Sequence, residues 1–182
     1  MALRAKRISI LLVTGILMSC GFGSSVRAEV TYTFAHIAEH GDDADAILNG
    51  EIGRAQVFVD ITAYDTNQVL FTFRNTGPEP SAITDVYFDD GALLGIAMII
   101  DSDDGTGGNS GVDFLQFATP SDLPAGELLW PPFVTTEAFS ADADPPVSRN
   151  GVDPGESLGI VFDLYENHFY EDVLADLISG NL

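Results

Sequence analysis

Cysteine is almost absent from this chain of 182 residues: the one example is Cys20, so no disulfide can form within the chain. Basic residues are scarce as well. Seven stand against 28 acids, and four of the seven (Arg4, Lys6, Arg7 and Arg27) lie in the first 28 residues, where there is no acid. From Glu29 onward three arginines face 28 acids, a formal charge of −25 with no lysine. Such a field repels nucleic acid and anionic membrane surfaces and attracts cations. No run of apolar residues is long enough to cross a bilayer, the longest being Ile8 to Met18. Also missing are a G-x-S-x-G elbow, a Cys–His pair and a phosphate-cradling glycine loop, which removes the common nucleophile and nucleotide chemistries. With 46% apolar residues the chain is too hydrophobic for an acidic disordered tail.

What the first 28 residues do contain has the layout of a secretory signal peptide: the basic Arg4-Ala5-Lys6-Arg7, then the apolar run, then small residues ending in Val26-Arg27-Ala28. Val26 and Ala28 are the small residues three and one before an ordinary cut, which would leave Glu29 first. Leu17-Met18-Ser19-Cys20 offers the rival reading, a lipobox in which Cys20 carries a lipid anchor. Both readings mean export, to the outside or the surface of the cell.

Residues 29–182 read as one domain. Val57, Val59 and Ile61 alternate with Phe58, Asp60 and Thr62; Val69, Phe71 and Phe73 alternate with Leu70, Thr72 and Arg74; Leu158, Ile160, Phe162 and Leu164 repeat the pattern. Period two marks strands with one face in a core. Val30 to Phe34, Ile83 to Phe88, Leu93 to Ile100, Val112 to Phe117 and Val134 to Phe139 are further strand expectations. Turn signals such as Asn75-Thr76-Gly77-Pro78, Asp89-Asp90-Gly91 and Asp153-Pro154-Gly155 separate them. The one expected helix is Phe169 to Ile178, with Tyr170, Val173, Leu174, Leu177 and Ile178 at helical spacing and Gly180 to stop it. The sum is an all-β antiparallel sandwich, jelly-roll or immunoglobulin-like, with one short C-terminal helix. Residues 120–146 are expected to wrap as loop, with Trp130-Pro131-Pro132 packed on the sandwich.

Residues 69–95, VLFTFRNTGPEPSAITDVYFDDGALLG, and 150–164, NGVDPGESLGIVFDL, together with VTYTFAHI and AQVFVDITAYD, resemble the exported PEP-CTERM (exosortase-sorted) proteins of diderm bacteria. The resemblance implies an exported β-sandwich without established enzymatic activity, in the cell-surface or exopolysaccharide matrix, with polysaccharide or surface proteins as partners. It supplies no catalytic residue. Members of that group continue past such a helix with a further strand, a Pro-Glu-Pro motif, a membrane helix and a basic tail. Here the sequence stops at Ser179-Gly180-Asn181-Leu182, so a final strand and the sorting tail are expected to be missing and a sheet edge to be open.

Three constellations invite chemistry. Asp101-Ser102-Asp103-Asp104-Gly105, continuing to Asp113, begins like a calcium loop, but the fifth position is glycine and the twelfth is Val112. EF-hand spacing fails; a looser calcium site of Asp101, Asp103, Asp104 and Asp113 stands beside the plain reading of a solvated hairpin loop. Asp89-Asp90 and Asp42-Asp43-Asp45 read as solvated turns. His36-Ile37-Ala38-Glu39-His40 matches H-x-x-E-H, yet zinc peptidases need that motif on a helix, and it follows a strand signal here. A carboxylate pair for glycoside hydrolysis needs two acids facing each other across a cleft, which sequence spacing does not reveal. Trp130, Tyr87 and Phe88 could stack on sugar rings, against the commoner core placement of aromatics.

Overall fold

The computed structural model describes residues 29–37, 44–101 and 111–182, with residues 44–46 by their backbone alone. Eight strands form: β1 (Glu29–Thr33), β2 (Val57–Asp65), β3 (Gln68–Asn75), β4 (Asp85–Tyr87), β5 (Leu93–Ile100), β6 (Phe114–Gln116), β7 (Ser140–Ala143) and β8 (Ser157–Leu164). The helices are α1 (Ala44–Gln56), α2 (Val147–Asn150) and α3 (Tyr170–Ser179), with a 3-10 turn at Gly126–Leu128. One sheet has the order β1-β2-β3-β8-β5 and the other β4-β7-β6, with every pairing antiparallel.

The period-two strands are the backbone of the larger sheet. Val69 pairs with Phe162, Phe71 with Ile160 and Phe73 with Leu158, so the buried sets of β3 and β8 fall side by side on one face. Val59 and Ile61 of β2 extend that face. The smaller sheet contributes Val86, Phe114, Ala141 and Ala143 to the same core. Phe88, just after β4, joins the two layers: its ring lies 4.7 Å from that of Phe162, 5.1 Å from Phe71 and 5.9 Å from Phe73, all edge-on. Phe139, just before β7, meets Phe162 at 5.3 Å. Edge-to-face contact adds to the burial of these rings.

Helix α3 forms where its spacing predicts. Tyr170, Val173 and Leu177 are buried, the Asp172 carboxylate accepts the Phe169 amide at 2.8 Å, and Gly180 ends the helix at φ 75°. The Tyr170 hydroxyl donates to the Ile61 carbonyl at 3.0 Å, pinning α3 to β2. Burial first, then the neighbouring Tyr32, Glu171 and Glu29, pushes that phenol up to about 12.

Several expectations are corrected. Residues 134–139 are not a strand: Ala138 sits at φ 70° and the Phe139 amide donates to the Thr136 carbonyl at 2.9 Å, so the chain turns and pairing starts at Ser140. Residues 120–146 therefore hold β7 and a 3-10 turn rather than loop alone. Helix α1 was not expected, and its backbone takes in Asp45, read from the sequence as part of a solvated turn. It lacks an apolar stripe, since Ile47 and Leu48 are exposed. It approaches the chain through Gly50 instead, where a Cβ would lie 2.5 Å from Cγ of His36. Finally, Trp130 is not packed on the sandwich: it is 95% exposed.

The larger sheet ends in β1 and β5. Strand β5 has the sequence LLGIAMII, without a charge, and its pairing with β8 is irregular at Leu93/Gly95 and Ile96/Met98. Such irregularities twist an edge away from further pairing. Among the described residues no helix is long and apolar enough to cross a membrane.

Candidate functional site

Of the four aspartates proposed for calcium, Asp103 and Asp104 lie outside the described residues, as does Cys20. Asp101 and Asp113 are described and have structural work. The Asp101 carboxylate accepts the Phe114 amide at 2.9 Å, fastening the end of β5 to the start of β6. The backbone of Asp113 takes part in two further ties, its amide to the Asn150 carbonyl at 3.0 Å and its carbonyl from the Asp144 amide at 2.9 Å. Among the described residues no group of three or more His, Cys, Asp or Glu side chains is placed to hold a metal ion. Asp89 accepts the amide of Asp90 and Asp90 that of Gly91, both at 2.8 Å, in an exposed turn. Asp42 and Asp43 lie outside the described residues. So do Ala38, Glu39 and His40; His36 and Ile37 are not helical.

Two polar clusters hold the fold rather than a ligand. Asp60 on β2 accepts from Thr31 Oγ1 at 2.6 Å, from Arg74 Nη2 at 2.9 Å and from Arg74 Nε, while the guanidinium lies 5.5 Å from the Phe58 ring centre. Burial pushes the Asp60 carboxyl up, but the bonds from Arg74 and Thr31 and the charge of Arg74 outweigh it and hold the group below the usual carboxylate range. The second cluster, Gln56, Asn75 and Ser81, is buried and satisfied internally. Gln56 Nε2 donates to the Glu79 carbonyl at 2.7 Å and to Ser81 Oγ, and Asn75 Nδ2 to the Val152 carbonyl at 3.2 Å. Burial holds the Asp153 carboxyl above the ordinary carboxylate range. It belongs to a turn in which its amide donates to Glu156 Oε2 at 2.8 Å.

The aromatics divide sharply. Tyr87 and Phe88 are 5% exposed, and the Tyr87 hydroxyl donates to the Pro120 carbonyl at 3.0 Å, so neither offers a ring face to a sugar. Trp130 does. It stands on the lobe between β6 and β7, residues 117–139, which also displays Phe117, Leu128 and Val134 in solvent. Four non-glycine residues among those described have positive φ, and three are in this lobe: Phe117 at 76°, Ala125 at 61° and Ala138 at 70°. Left-handed backbone at such residues costs on the order of 1 kcal/mol or more each and persists where the surroundings over-determine it.

The over-determination is visible. Phe117 N donates to the Ser140 carbonyl at 2.9 Å and Ala118 N to Ser140 Oγ at 3.0 Å; Gln116 Nε2 donates to the Ala138 carbonyl at 2.7 Å; Thr136 N donates to the Phe88 carbonyl at 3.0 Å. Inside the lobe, Leu123 N donates to Thr135 Oγ1 at 3.1 Å. The Gly126 carbonyl accepts the amides of both Leu129 and Phe133 at 3.1 Å, closing residues 126–133 into a loop. Pro131 and Pro132 fix two further φ angles directly after Trp130. The indole is therefore carried on a stiff, tied loop with almost none of its surface covered. Its signal in the sequence is that W-P-P falls in no alternating run, so no strand face is available to bury the ring. No known protein family, no curated protein and no solved structure matches the chain.

Proposed function

We propose that this chain is an exported, non-enzymatic binding protein of the bacterial cell surface or its exopolysaccharide matrix, with residues 117–139 as its contact surface. The observation that carries the reading is Trp130, 95% exposed on a loop closed by the Gly126 carbonyl. A large aromatic usually finds cover in its own protein. One displayed on a loop whose backbone is already tied spares a partner the cost of ordering that loop. The leader-like residues 1–28, the charge of −25 that follows them and the resemblance to exosortase-sorted proteins support the export half of the reading.

The test is fractionation of a diderm bacterium that expresses the full chain with a C-terminal tag. The expected result is a product that has lost its leader and co-sediments with surface material, whereas Trp130→Ala is exported and processed equally but released to the medium. Unprocessed protein retained in the cytoplasm would overturn the export reading. Equal retention of Trp130→Ala at the surface would overturn the role of the lobe.

A further inference from the structure

We propose that the 126–133 loop recognises a polysaccharide that carries free amino groups, one sugar face stacking on Trp130 while the ammonium groups are held by the acidic field around it. The proposal rests on the surface-binding reading above and names the partner class.

The charge distribution selects the class. Between Arg74 and Arg149 the chain contains no Lys, Arg or His, so neither the lobe nor the strands that lead into and out of it carry a basic residue. Within the lobe Asp122, Glu127 and Glu137 are all exposed, and Glu127 shares the closed loop with Trp130. An anionic polysaccharide, a nucleic acid or an anionic lipid surface approaching this loop meets like charge and no basic side chain of the lobe itself. A neutral glycan would stack on the indole and could donate hydroxyls to the carboxylates, but would gain no net charge attraction. An amino-bearing sugar uses both: its apolar ring face covers the indole, and its ammonium groups lie in the negative potential and within the reach of a cation–π contact.

A basic polypeptide shares the charge but fits the loop less well. A peptide that docks in extended form must find partners for its own backbone amides, as at a sheet edge. Residues 126–133 form no strand, and the Gly126 carbonyl is already occupied twice. A sugar chain has no such requirement, and its hydroxyls can donate to the Glu127 carboxylate.

The full chain contains one tryptophan, so its emission reports on this loop alone. A titration with the hexamer of β-1,4-linked glucosamine at low ionic strength is expected to shift and quench that emission. Binding, followed in parallel by calorimetry, should be about tenfold tighter than for the N-acetylated hexamer and should weaken as salt is raised. Trp130→Ala should abolish heat release, Trp130→Phe should restore part of it, and Glu127→Gln should weaken it several-fold with an unchanged melting temperature. Equal binding of the N-acetylated hexamer, insensitive to salt, would overturn the amino-sugar assignment in favour of a neutral glycan. Polylysine binding of equal strength with the same dependence on Trp130 would overturn it in favour of a basic polypeptide. No response to the glucosamine hexamer, with Trp130→Ala still released from cells, would sink this assignment while leaving the surface-binding reading intact.

Discussion

The Gly126 carbonyl accepts the Phe133 amide at 3.1 Å, and a Cβ built on Gly126 would stand 2.7 Å from the Phe133 carbonyl oxygen. The contact that closes the loop under Trp130 thus depends on the absence of a side chain. Gly126→Ala must push two backbone segments apart. The expected cost is about 1–2 kcal/mol of stability, seen as a lowered melting temperature. The slow component of the Trp130 anisotropy decay should shrink at the same time, because the loop backbone gains freedom.

Phe88 touches three rings of the larger sheet from the end of a three-residue strand. Its truncation to alanine removes the main aromatic link between the layers and leaves a cavity. Phe88→Ala should cost about 3–5 kcal/mol in chemical denaturation. A loss well under 1 kcal/mol would mean that the two sheets do not depend on that ring for their packing.

The Asp60–Arg74 pair sets an acid limit on stability. The Asp60 carboxyl is held low in the folded chain, chiefly against burial and by Arg74, so its contribution is present above the ordinary carboxylate range. It is lost as pH falls through the depressed folded value. Asp60→Asn should cost on the order of 1 kcal/mol at neutral pH, a modest figure because Arg74 is partly in solvent. The gap between the two proteins should close on acidification. A gap that stays constant from neutral to acid pH would show that the charge on Asp60 contributes nothing.

How much of this was legible in the sequence follows from what each residue's neighbours are. Strict alternation in β2, β3 and β8 announces a buried face because the partner strands carry the same period. Leu93 to Ile100 is likewise found at its expected bounds. Helix α1 was not legible: it docks through Gly50 against His36, and a close backbone approach leaves no apolar stripe to read. Strand β7 is hidden because Ser140-Ala141-Asp142-Ala143 has little β propensity and is set by pairing with β4 and β6 on either side. The bond between Asp60 and Arg74 is diagonal across two strands, visible only once the register Asp60 to Thr72 is known. Trp130 misled for a similar reason: composition places tryptophan in cores, and only the tied loop shows it outside.

Asp101 gives a prediction that separates a structural carboxylate from a calcium ligand. Its bond to the Phe114 amide joins β5 to β6. Asp101→Ala should cost about 1 kcal/mol, and Asp101→Asn, which keeps an acceptor oxygen, much less. That cost should be the same in excess calcium and in chelator, because the bond to the Phe114 amide needs no ion. A thermal midpoint of the parent chain raised by several degrees in calcium would instead assign Asp101 to an ion site with the aspartates that follow it.

The display of Trp130 is tested most directly by fluorescence of the full chain without any ligand, since no other tryptophan contributes. A soluble neutral quencher should reach the indole as readily as it reaches free tryptophan, with emission at the red limit. The anisotropy decay should show a fast component for rotation of the exposed ring about its side-chain bonds and a slow component at the tumbling time of the whole protein, because the loop backbone is tied. A blue-shifted emission protected from the quencher would contradict the exposed placement. Full quenching with no decay component at the tumbling time would contradict the tied loop on which the binding role depends.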